Sequence, residues 1–405
     1  MEQRILIYTN HYDPEYFKIN DIVNWISEKG AKISVITGNP NYPSGKLFEG
    51  FSLFGSKKST KTGITVYRLP LITRGKAGFI RLSINYLSYF VSLIFFSTWC
   101  IFFHKKYDTI FIHHTSPPLL FLPAIIYKKA KNSKLFVWDL DMWPHTLEAI
   151  GLIKSKPLLN ILELMFKLFY KSFDKVLIAS KSFEIIAKKR ISNSKIEYFP
   201  NWADKEFEKL NFEILPPQNK GKIIITYTGN VGEAQGFGVL VEAIKISKNK
   251  NIEFNIVGSG RYKNKLRKLV SQNKLEKQII LVDPVTTKDL IYFFKKTHYL
   301  FISLKESSIF NKTVPAKLQS YLSTGKPIIS CISGESQEIL EFNNCGLNVD
   351  AGDLKGLVRI FMDIDKVSSS EYKEFSKNSK KLYAQRFSSI NRRKQLFKIL
   401  FEENI

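Results

Sequence analysis

Short apolar runs alternate with helical patterns along most of this chain, and the alternation occurs in two successive halves. In the first half the apolar runs are Arg4–Thr9, Lys32–Thr37, Ile64–Pro70, Asp108–His113, Lys134–Asp139, Lys175–Ala179 and Ile196–Pro200. The pattern restarts at Lys222–Thr228 and continues with Ile252–Val257. Runs of this length between helical segments are typical of parallel strands that helices cover on both faces. The sequence therefore predicts an α/β fold with two Rossmann-like, doubly wound domains and a cleft between them.

The boundaries between these units follow from local composition. Residues 205–221 are polar and contain Pro216 and Pro217, which is typical of a linker. We therefore assign residues 1–204 to an N-terminal domain and residues 222–385 to a C-terminal domain. Residues 386–405 complete the chain as a charged helix.

The charge of the chain limits the partners that it can have. The formal net charge is +25, so the surface should attract nucleic acid, anionic lipid headgroups or phosphorylated substrates. The three cysteines form no C-x-x-C pair, which favours a reduced compartment without a metal cluster. The first residues lack a basic region followed by an apolar core, so we expect no signal peptide and a cytosolic location.

The segment Leu82–Phe103 contains no charged residue, and its length suits a membrane-spanning helix. A strand predicted to begin at Asp108 argues against a span, because strands of one sheet cannot lie on opposite sides of a bilayer. We expect a helix that is buried in a membrane face or dips into it, with a plain core helix and a true span as alternatives. Anionic lipids would be attracted to Lys and Arg around it.

The stretch Thr313–Ser330 predicts a short helix followed by a strand. Pro315 suits the first helical turn, and Gly325 suits its end. Lys317 lies close to the N-terminus, where free backbone N–H groups favour an anion such as a diphosphate. An ordinary turn with a solvated lysine is the alternative.

The loops after the predicted strands carry polar and glycine-rich groups. They are Asn39–Gly45, Thr115–Pro118, Asp139–His145, Gly229–Gly236, Gly258–Arg261 and Glu306–Lys317. In doubly wound folds, ligands bind at the carboxyl ends of the strands. These loops are therefore predicted to form one ligand-binding cleft.

Motifs in and beside these loops follow one another in a recognisable order. They are N-Y-P-x-G at Asn41–Gly45, T-S-P-P-L at Thr115–Leu119, D-x-W-P at Asp141–Pro144, P-N-W at Pro200–Trp202, G-N-x-G-x-A-Q-G at Gly229–Gly236 and V-P-A-K-L-Q-S-Y-L at Val314–Leu322. In this set the chain resembles the family-4 retaining glycosyltransferases of bacterial O-antigen and capsule assembly. The similarity is greatest to their N-acetyl-L-fucosamine transferase branch.

The resemblance implies the GT-B fold, in which the C-terminal helix packs back on the N-terminal domain. It also implies transfer of a sugar, with retention, from a UDP-sugar held by the C-terminal domain to a polyprenyl diphosphate-linked glycan held by the N-terminal domain. No metal or other cofactor is expected, so basic groups and helix N-termini must neutralise the leaving diphosphate. A transition state that resembles an oxocarbenium ion then needs no glycosidase-like carboxylate pair.

Two departures from the family pattern affect the donor site. Asn230 and Gln235 stand where many members carry an Arg and a Lys, and Ser320 stands where the second of two glutamates is expected. We therefore expect Lys317 to neutralise most of the diphosphate charge. The full predicted donor set is Lys317, Arg261, Asn230, Gln235, Gly232, Gly258, Glu306 and Ser320. A loop-stabilising role is the alternative for Asn230 and Gln235, and a solvated surface role is the alternative for Glu306.

On the acceptor side, Asp141 is our first candidate for orienting or deprotonating the attacking hydroxyl. His145, His114 and His113 compete for that role, while a helix cap is the alternative for Asp139 or Asp141. The remaining predicted cleft residues are Asn41, Tyr42 and Ser116.

These expectations define a glycosyltransferase that acts at the cytoplasmic face of the inner membrane, as a peripheral or monotopic protein. The transferred sugar would be an N-acetylated deoxyhexosamine or hexosamine. A GT-B nucleotide-sugar 2-epimerase is one alternative, although it gives the apolar segment no purpose. A nucleic-acid-binding or scaffold protein is another; it rests on charge alone, and no RNA-binding motif or concentrated basic helix supports a nucleic-acid partner.

Overall fold

The two predicted domains form two separate parallel sheets. The computed structural model describes residues 3–59, 63–75, 78–115, 117–217 and 221–402. The N-terminal strands are β1 Arg4–Thr9, β2 Lys32–Gly38, β3 Ser56–Ser59, β4 Ile64–Leu69, β5 Thr109–His114, β6 Lys134–Asp139, β7 Lys175–Ile178 and β8 Ile196–Tyr198. They lie in the order β3-β4-β2-β1-β5-β6-β7-β8, and only the edge strand β3 is antiparallel.

The C-terminal sheet is parallel throughout and has the doubly wound order. Its strands are β9 Ile223–Thr228, β10 Ile252–Val257, β11 Ile279–Val282, β12 Tyr299–Ser303, β13 Ile328–Cys331 and β14 Gly346–Val349. The order β11-β10-β9-β12-β13-β14 reverses direction between β9 and β12. Loops at such a reversal open a crevice for ligands, so this topology marks a candidate ligand-binding crevice in the C-terminal domain.

Helices cover both faces of each sheet, which explains why the strands are nearly continuous apolar runs. Those of the first half are α1 Lys18–Ser27, α2 Phe79–Phe103, α3 Phe121–Lys131, α4 His145–Ala149, α5 Lys156–Lys171, α6 Glu184–Ala187 and α7 Lys205–Lys209. Those of the second half are α8 Phe237–Ser247, α9 Lys263–Gln272, α10 Thr287–Lys296, α11 Ala316–Thr324, α12 Glu335–Phe342, α13 Leu354–Asp363, α14 Ser369–Leu382 and α15 Ser389–Phe397. The predicted α/β fold class is confirmed.

The end of the chain returns to the N-terminal domain, as the GT-B fold requires. Leu396, Ile399 and Leu400 are buried in the same apolar cluster as Ile5 of β1. The Gln395 amide donates hydrogen bonds to the Tyr198 carbonyl at 2.8 Å and to Glu197 at 2.7 Å. These contacts attach the end of the chain to the first domain.

The predicted linker is partly built into the C-terminal core. Phe207 of α7 and Phe212 pack against Phe294, with ring centroids 5.2 and 6.2 Å apart. Both rings are buried. The described part of residues 205–221 therefore connects the two domains and is also packed onto the second domain through its aromatic side chains.

Helix α2 lies along one face of the N-terminal sheet. Its buried side carries Asn85, Tyr89, Leu93, Ser97 and Cys100, at helical spacing. Tyr89 donates a hydrogen bond to the carbonyl of Thr9 at 2.9 Å. Within the described ranges, Ile80–Phe103 is the one helical segment long and apolar enough to cross a membrane, which by itself is weak evidence for a span.

Candidate active site

A cavity of about 490 Å³ lies between the two domains. Its walls come from loops at the carboxyl ends of β5, β6 and β7 and from the stretch that leads into α11. The lining residues are Tyr16, Phe17, Lys18, His113, Thr115, Leu140, Asp141, Ala179, Ser180, Phe183, Asn201, Asp204, Thr313, Val314, Pro315 and Ala316. The predicted acceptor loops and the stretch Thr313–Ser330 thus meet around one space.

Direct contacts between the domains close the floor of this cavity. The backbone N–H of Val314 donates to the Ser180 hydroxyl at 2.7 Å. The Glu335 carboxylate accepts the backbone N–H groups of Lys181 at 2.9 Å and Ser182 at 2.6 Å. The first bond fixes the segment that leads into α11, and the other two fix the start of α12, against the N-terminal domain.

Asp141 lies on the cavity wall, two residues beyond β6. Burial raises the pKa of its carboxyl to about 7, and the negative charge of Asp139 adds to this effect against the opposing influence of His114. A carboxylate with a pKa near neutrality can receive a proton from an attacking hydroxyl. Asp141 is thus a cavity-lining carboxyl that can exchange a proton near neutral pH.

Asp139 has a different, structural position. It is fully buried and accepts hydrogen bonds from His114 Nδ1 at 2.9 Å and from the Tyr170 hydroxyl. It also accepts the backbone N–H groups of Asp141 at 3.2 Å and Met142 at 3.3 Å. Burial opposes its ionisation, but His114 and Tyr170 hold the pKa of Asp139 at about 2. Asp139 thus orders the loop that carries Asp141.

The three histidines separate in space. His113 lines the cavity, accepts or donates a hydrogen bond with the Thr9 hydroxyl at 3.1 Å, and has a pKa lowered by burial to about 3. His114 is fully buried against Phe121, with ring centroids 4.6 Å apart, and is not among the described residues that line the cavity. His145 begins α4 and lies 3.5 Å from Glu163, outside the described cavity lining. The geometry brings neither His114 nor His145 to the reaction space.

Two glycine loops of the C-terminal domain pack backbone to backbone. Gly258 has φ 151°, and a Cβ at this position would lie 1.9 Å from the carbonyl oxygen of Gly229. A Cβ on Gly260 would likewise lie 2.2 Å from the Val231 carbonyl oxygen. Glycine is therefore required where the loops after β9 and β10 cross.

Lys317 reaches this crossing from α11. Its Nζ donates to the Tyr227 hydroxyl at 2.5 Å and lies 3.9 Å from the centre of that ring. A Cβ on Gly229 would lie 3.7 Å from Nζ. Among the described residues no carboxylate pairs with this ammonium, and burial lowers the pKa of Lys317 to about 7. Lys317 is thus a candidate for binding an anion at the loop crossing.

The other predicted donor residues take several positions. Asn230 and Gly232 lie at the loop crossing with Lys317, while Arg261 is exposed in the turn before α9. Helix α9 begins two residues later, at Lys263. Ser320 is half-buried on α11.

Gln235 and Glu306 have local partners that support their structural alternatives. The Gln235 side chain accepts the Gly232 N–H at 2.9 Å, which stabilises the loop. Glu306 is exposed and accepts a hydrogen bond from the Asn311 amide at 2.8 Å.

Asn41 is buried and does not face the cavity. Its amide donates to the Asn39 carbonyl at 2.9 Å, and its oxygen accepts the Arg74 N–H at 3.2 Å. The Tyr42 ring is 42% exposed and packs 5.5 Å from Phe17. Ser116 lies outside the described residues.

Sequence reasoning missed two groups that organise these loops. The buried Glu15 carboxylate accepts the N–H groups of Asn41 at 2.7 Å and Tyr42 at 2.6 Å, and contacts His11 Nδ1 at 2.6 Å. The buried Lys263 Nζ donates to the carbonyls of Gly258 and Val282, both at 2.7 Å. Glu15 lies within the loop after β1, and that position was the only available signal.

The chain is similar to known glycosyltransferases in sequence and in structure. Residues 210–382 match the family model described as glycosyl transferases group 1. The match covers most of the C-terminal domain and part of the linker before it. No group of three His, Cys, Asp or Glu residues is placed to hold a metal ion in the described parts of the chain.

Similar proteins extend the likeness to both domains. The putative colanic acid biosynthesis glycosyl transferase WcaI of Escherichia coli is 24% identical over 340 residues, which cover 80% of this chain and 81% of the relative. The sucrose-phosphate synthase of Thermosynechococcus elongatus superposes with a TM-score of 0.71 at 16% identity, over 99% of this chain and 100% of the other. Anabaena Alr3699/HepE in complex with UDP and glucose superposes with a TM-score of 0.70 at 12% identity, over the same shares. The structural matches establish the GT-B fold, and WcaI links the chain to polysaccharide biosynthesis enzymes. None of these comparisons identifies the fucosamine transferase branch.

Proposed function

We propose that this protein is a retaining, metal-independent glycosyltransferase. It would transfer a sugar from a UDP-sugar to a polyprenyl diphosphate-linked glycan in O-antigen or capsule assembly. An N-acetylated deoxyhexosamine or hexosamine is the proposed sugar. The observation that carries this proposal is the half-buried Lys317 ammonium, which lies at the crossing of two glycine loops and has no carboxylate partner among the described residues.

The donor diphosphate would bind at this crossing. Its negative charge would pair with Lys317, and backbone N–H groups of the loops and of the α11 N-terminus would add hydrogen bonds. The UDP complex of Anabaena Alr3699/HepE supports a UDP-sugar donor for this fold. Charge that develops on the leaving diphosphate would then be neutralised by fixed protein groups.

The acceptor hydroxyl would enter the interdomain cavity beside Asp141. A carboxyl with a pKa of about 7 can orient the hydroxyl and take its proton as the new bond forms. Because Thr313–Ala316 line the same cavity and Lys317 follows them directly, the acceptor and the leaving group would lie close together. Such proximity suits attack on the face from which the diphosphate leaves.

A peripheral or monotopic position at the cytoplasmic face of the membrane is part of the proposal. The outer side of α2 is apolar and exposed, with Ile80 at 73%, Phe95 at 73% and Phe102 at 74%. The neighbouring helices add exposed apolar side chains, namely Leu122, Ile126, Leu158, Ile161, Leu164 and Leu168. Exposed lysines adjoin this apolar surface, among them Lys105, Lys106, Lys156, Lys167 and Lys171. Such a surface suits the interface of an anionic bilayer.

Calorimetric titration of UDP into the full-length protein tests the donor site. Lys317→Ala should weaken UDP binding by about tenfold or more, since a buried charged hydrogen bond is lost. Lys295→Ala removes an exposed lysine of α10 and is the matched control, for which wild-type affinity is expected. Equal affinity of Lys317→Ala and wild type would contradict the proposal.

Turnover in the presence of a chelator tests metal independence. We expect the same rate with and without EDTA, because Lys317 and backbone N–H groups, and not a metal ion, would neutralise the leaving diphosphate. Loss of activity that added Mg²⁺ or Mn²⁺ restores would contradict it.

A further inference from the structure

The motif P-N-W at Pro200–Trp202 brings an amide without a partner to the wall of the interdomain cavity. Asn201 lines this cavity although the residue is only 8% exposed, and no hydrogen bond joins its amide to any residue in the described ranges. Buried polar groups are normally hydrogen-bonded, because an unsatisfied group keeps the full cost of leaving water. The Asn201 amide therefore suits a ligand group that can both donate and accept a hydrogen bond.

The segment around Asn201 is held in place by contacts with the N-terminal core. The N–H of Phe199 donates to the Ile178 carbonyl at 2.8 Å, and the Phe199 carbonyl accepts the indole N–H of Trp138 at 3.0 Å. On the other side of Asn201, the buried Trp202 ring stacks on Trp138 with centroids 5.5 Å apart. An amide that is fixed before binding loses less conformational entropy when it meets a ligand.

An ion pair lines the same cavity. The Lys18 ammonium contacts the Asp204 carboxylate, and the two side chains are 15% and 29% exposed. Asp204 directly precedes α7, but its side chain makes no capping hydrogen bond there. The carboxylate therefore serves Lys18 and keeps lone pairs for hydroxyl groups of a ligand.

Aromatic rings supply an apolar surface beside these polar groups. Tyr16 is 54% exposed, Phe17 is half-buried, and both line the cavity. The Phe17 ring stacks on His11 with centroids 4.6 Å apart, and Lys18 Nζ lies 5.8 Å from the centre of the Tyr16 ring. A pyranose ring has a face of C–H groups and a rim of hydroxyl groups. It can therefore pack on such rings while polar side chains bind its rim.

The ionisable groups around the cavity disfavour an acidic sugar. Lys18 is the one lysine or arginine among the described lining residues, and Asp204 already neutralises it. Burial lowers the pKa of His113 to about 3, so this imidazole is neutral, and Asp141 adds a second carboxyl. Lys317 follows the lining segment, but the donor diphosphate would occupy it. A uronic acid would thus bring its charge to two carboxyl groups without a free cation.

We propose that one wall of the cavity binds the terminal sugar of the acceptor and prefers an uncharged pyranose to an acidic one. This acceptor wall consists of Tyr16, Phe17, Lys18, Asn201 and Asp204. Asn201 and Asp204 would bind hydroxyl or acetamido groups, and the two rings would cover the apolar face of the sugar. The cavity of about 490 Å³ has the size of a site for a small organic ligand. This inference rests on the proposed function for the nature of the acceptor.

The test uses the full-length protein saturated with UDP and ligand-observed NMR. The probes are the methyl glycosides of glucose, N-acetylglucosamine and glucuronic acid, and their dissociation constants are obtained by titration. The two uncharged glycosides should bind, and the glucuronide should bind about tenfold more weakly or not at all. Tyr16→Ala should weaken binding of the uncharged glycosides about tenfold, because an aromatic face is lost. Tyr292→Ala changes a 57% exposed tyrosine of α10 and should leave binding unchanged.

Two further substitutions test the polar groups. Asn201→Ala should weaken binding of the uncharged glycosides about fivefold, the effect of one hydrogen bond. Thermal stability should stay at the wild-type value, since no described residue loses a partner. Asp204→Asn leaves the Lys18 ammonium unpaired, so this variant should bind the glucuronide about tenfold more tightly than wild type does. The double variant Lys18→Met/Asp204→Asn should lose that gain.

The outcomes that would overturn the inference are specific. They are wild-type affinity for the uncharged glycosides in both Tyr16→Ala and Asn201→Ala, equal affinity of wild type for glucoside and glucuronide, and no glycoside binding to the UDP-saturated protein. Asp204→Asn that binds the glucuronide no better than wild type would overturn the charge preference. A failure of the proposed function is distinct, since it would appear as absent UDP binding in the first step.

Discussion

The pKa of Lys317 leads to a quantitative prediction for donor binding. In the free protein, burial lowers this pKa from 10.5 to about 7, so the amine is largely neutral above neutrality. A bound diphosphate would stabilise the ammonium and raise its pKa, so that UDP binding takes up a proton. Affinity should therefore be greatest well below pH 7 and fall as the pH rises through 7.

The size of this effect follows from the fraction of protonated amine. That fraction is about three quarters at pH 6.5 and about 3% at pH 8.5 for a group of pKa about 7. If the amine is fully protonated in the complex, the UDP dissociation constant should rise about 25-fold between these pH values. This corresponds to about 1.9 kcal/mol of binding free energy.

Calorimetry at several pH values measures the effect, and two variants isolate it. The titration of UDP itself is common to wild type and Lys317→Ala, so the ratio of their dissociation constants reports on Lys317 alone. Lys317→Arg should bind UDP with little pH dependence from this position, because arginine stays charged. A wild-type to Lys317→Ala ratio that does not change between pH 6.5 and 8.5 would refute the reasoning.

Three further predictions concern catalysis, membrane association and the loop crossing. Asp141→Asn should lower kcat at least 100-fold while UDP affinity stays within about twofold, since a general base is lost but the donor site is intact; an unchanged kcat would exclude Asp141 as the base. The double substitution of Phe95 and Phe102 by Ser should move the protein from anionic vesicles to the supernatant on sedimentation. The control Phe342→Ser, which changes a 93% exposed residue of the C-terminal domain, should leave the protein on the vesicles. Equal distribution of both variants would argue against membrane binding through the α2 surface. Gly258→Ala should abolish detectable UDP binding and lower the free energy of unfolding by about 2 kcal/mol, because its Cβ would lie 1.9 Å from the Gly229 carbonyl oxygen. Normal UDP affinity would contradict this prediction and show that the two loops can move apart.

The sequence by itself determined the fold and the side of the sheets that binds ligands. Apolar runs alternating with helical patterns can be buried only as parallel strands between helices, and the carboxyl ends of such strands share one edge. From that rule the loops that carry Asp141, His113 and Thr313–Ala316 are predicted to meet, and in the structure these residues line one cavity. It also located Lys317 beside the glycine loops, because the turn chemistry of those loops is local.

Only the tertiary structure decided which residues of each loop face the cavity. Asp139 and Asp141 lie two residues apart in the same loop, but the Asp139 carboxylate accepts hydrogen bonds from His114 and Tyr170, while Asp141 lines the cavity. Asn41 is likewise predicted as a cleft residue, and its side chain is hydrogen-bonded to the Asn39 carbonyl and the Arg74 N–H and is not among the described residues that line the cavity.

The physical reason is that side-chain direction depends on partners distant in the chain. Glu15 orders the loop of Asn41, 26 residues away, and Arg74 is buried against Tyr86 of α2. Local patterns report backbone preferences and average burial, whereas these bonds exist only after the segments have packed.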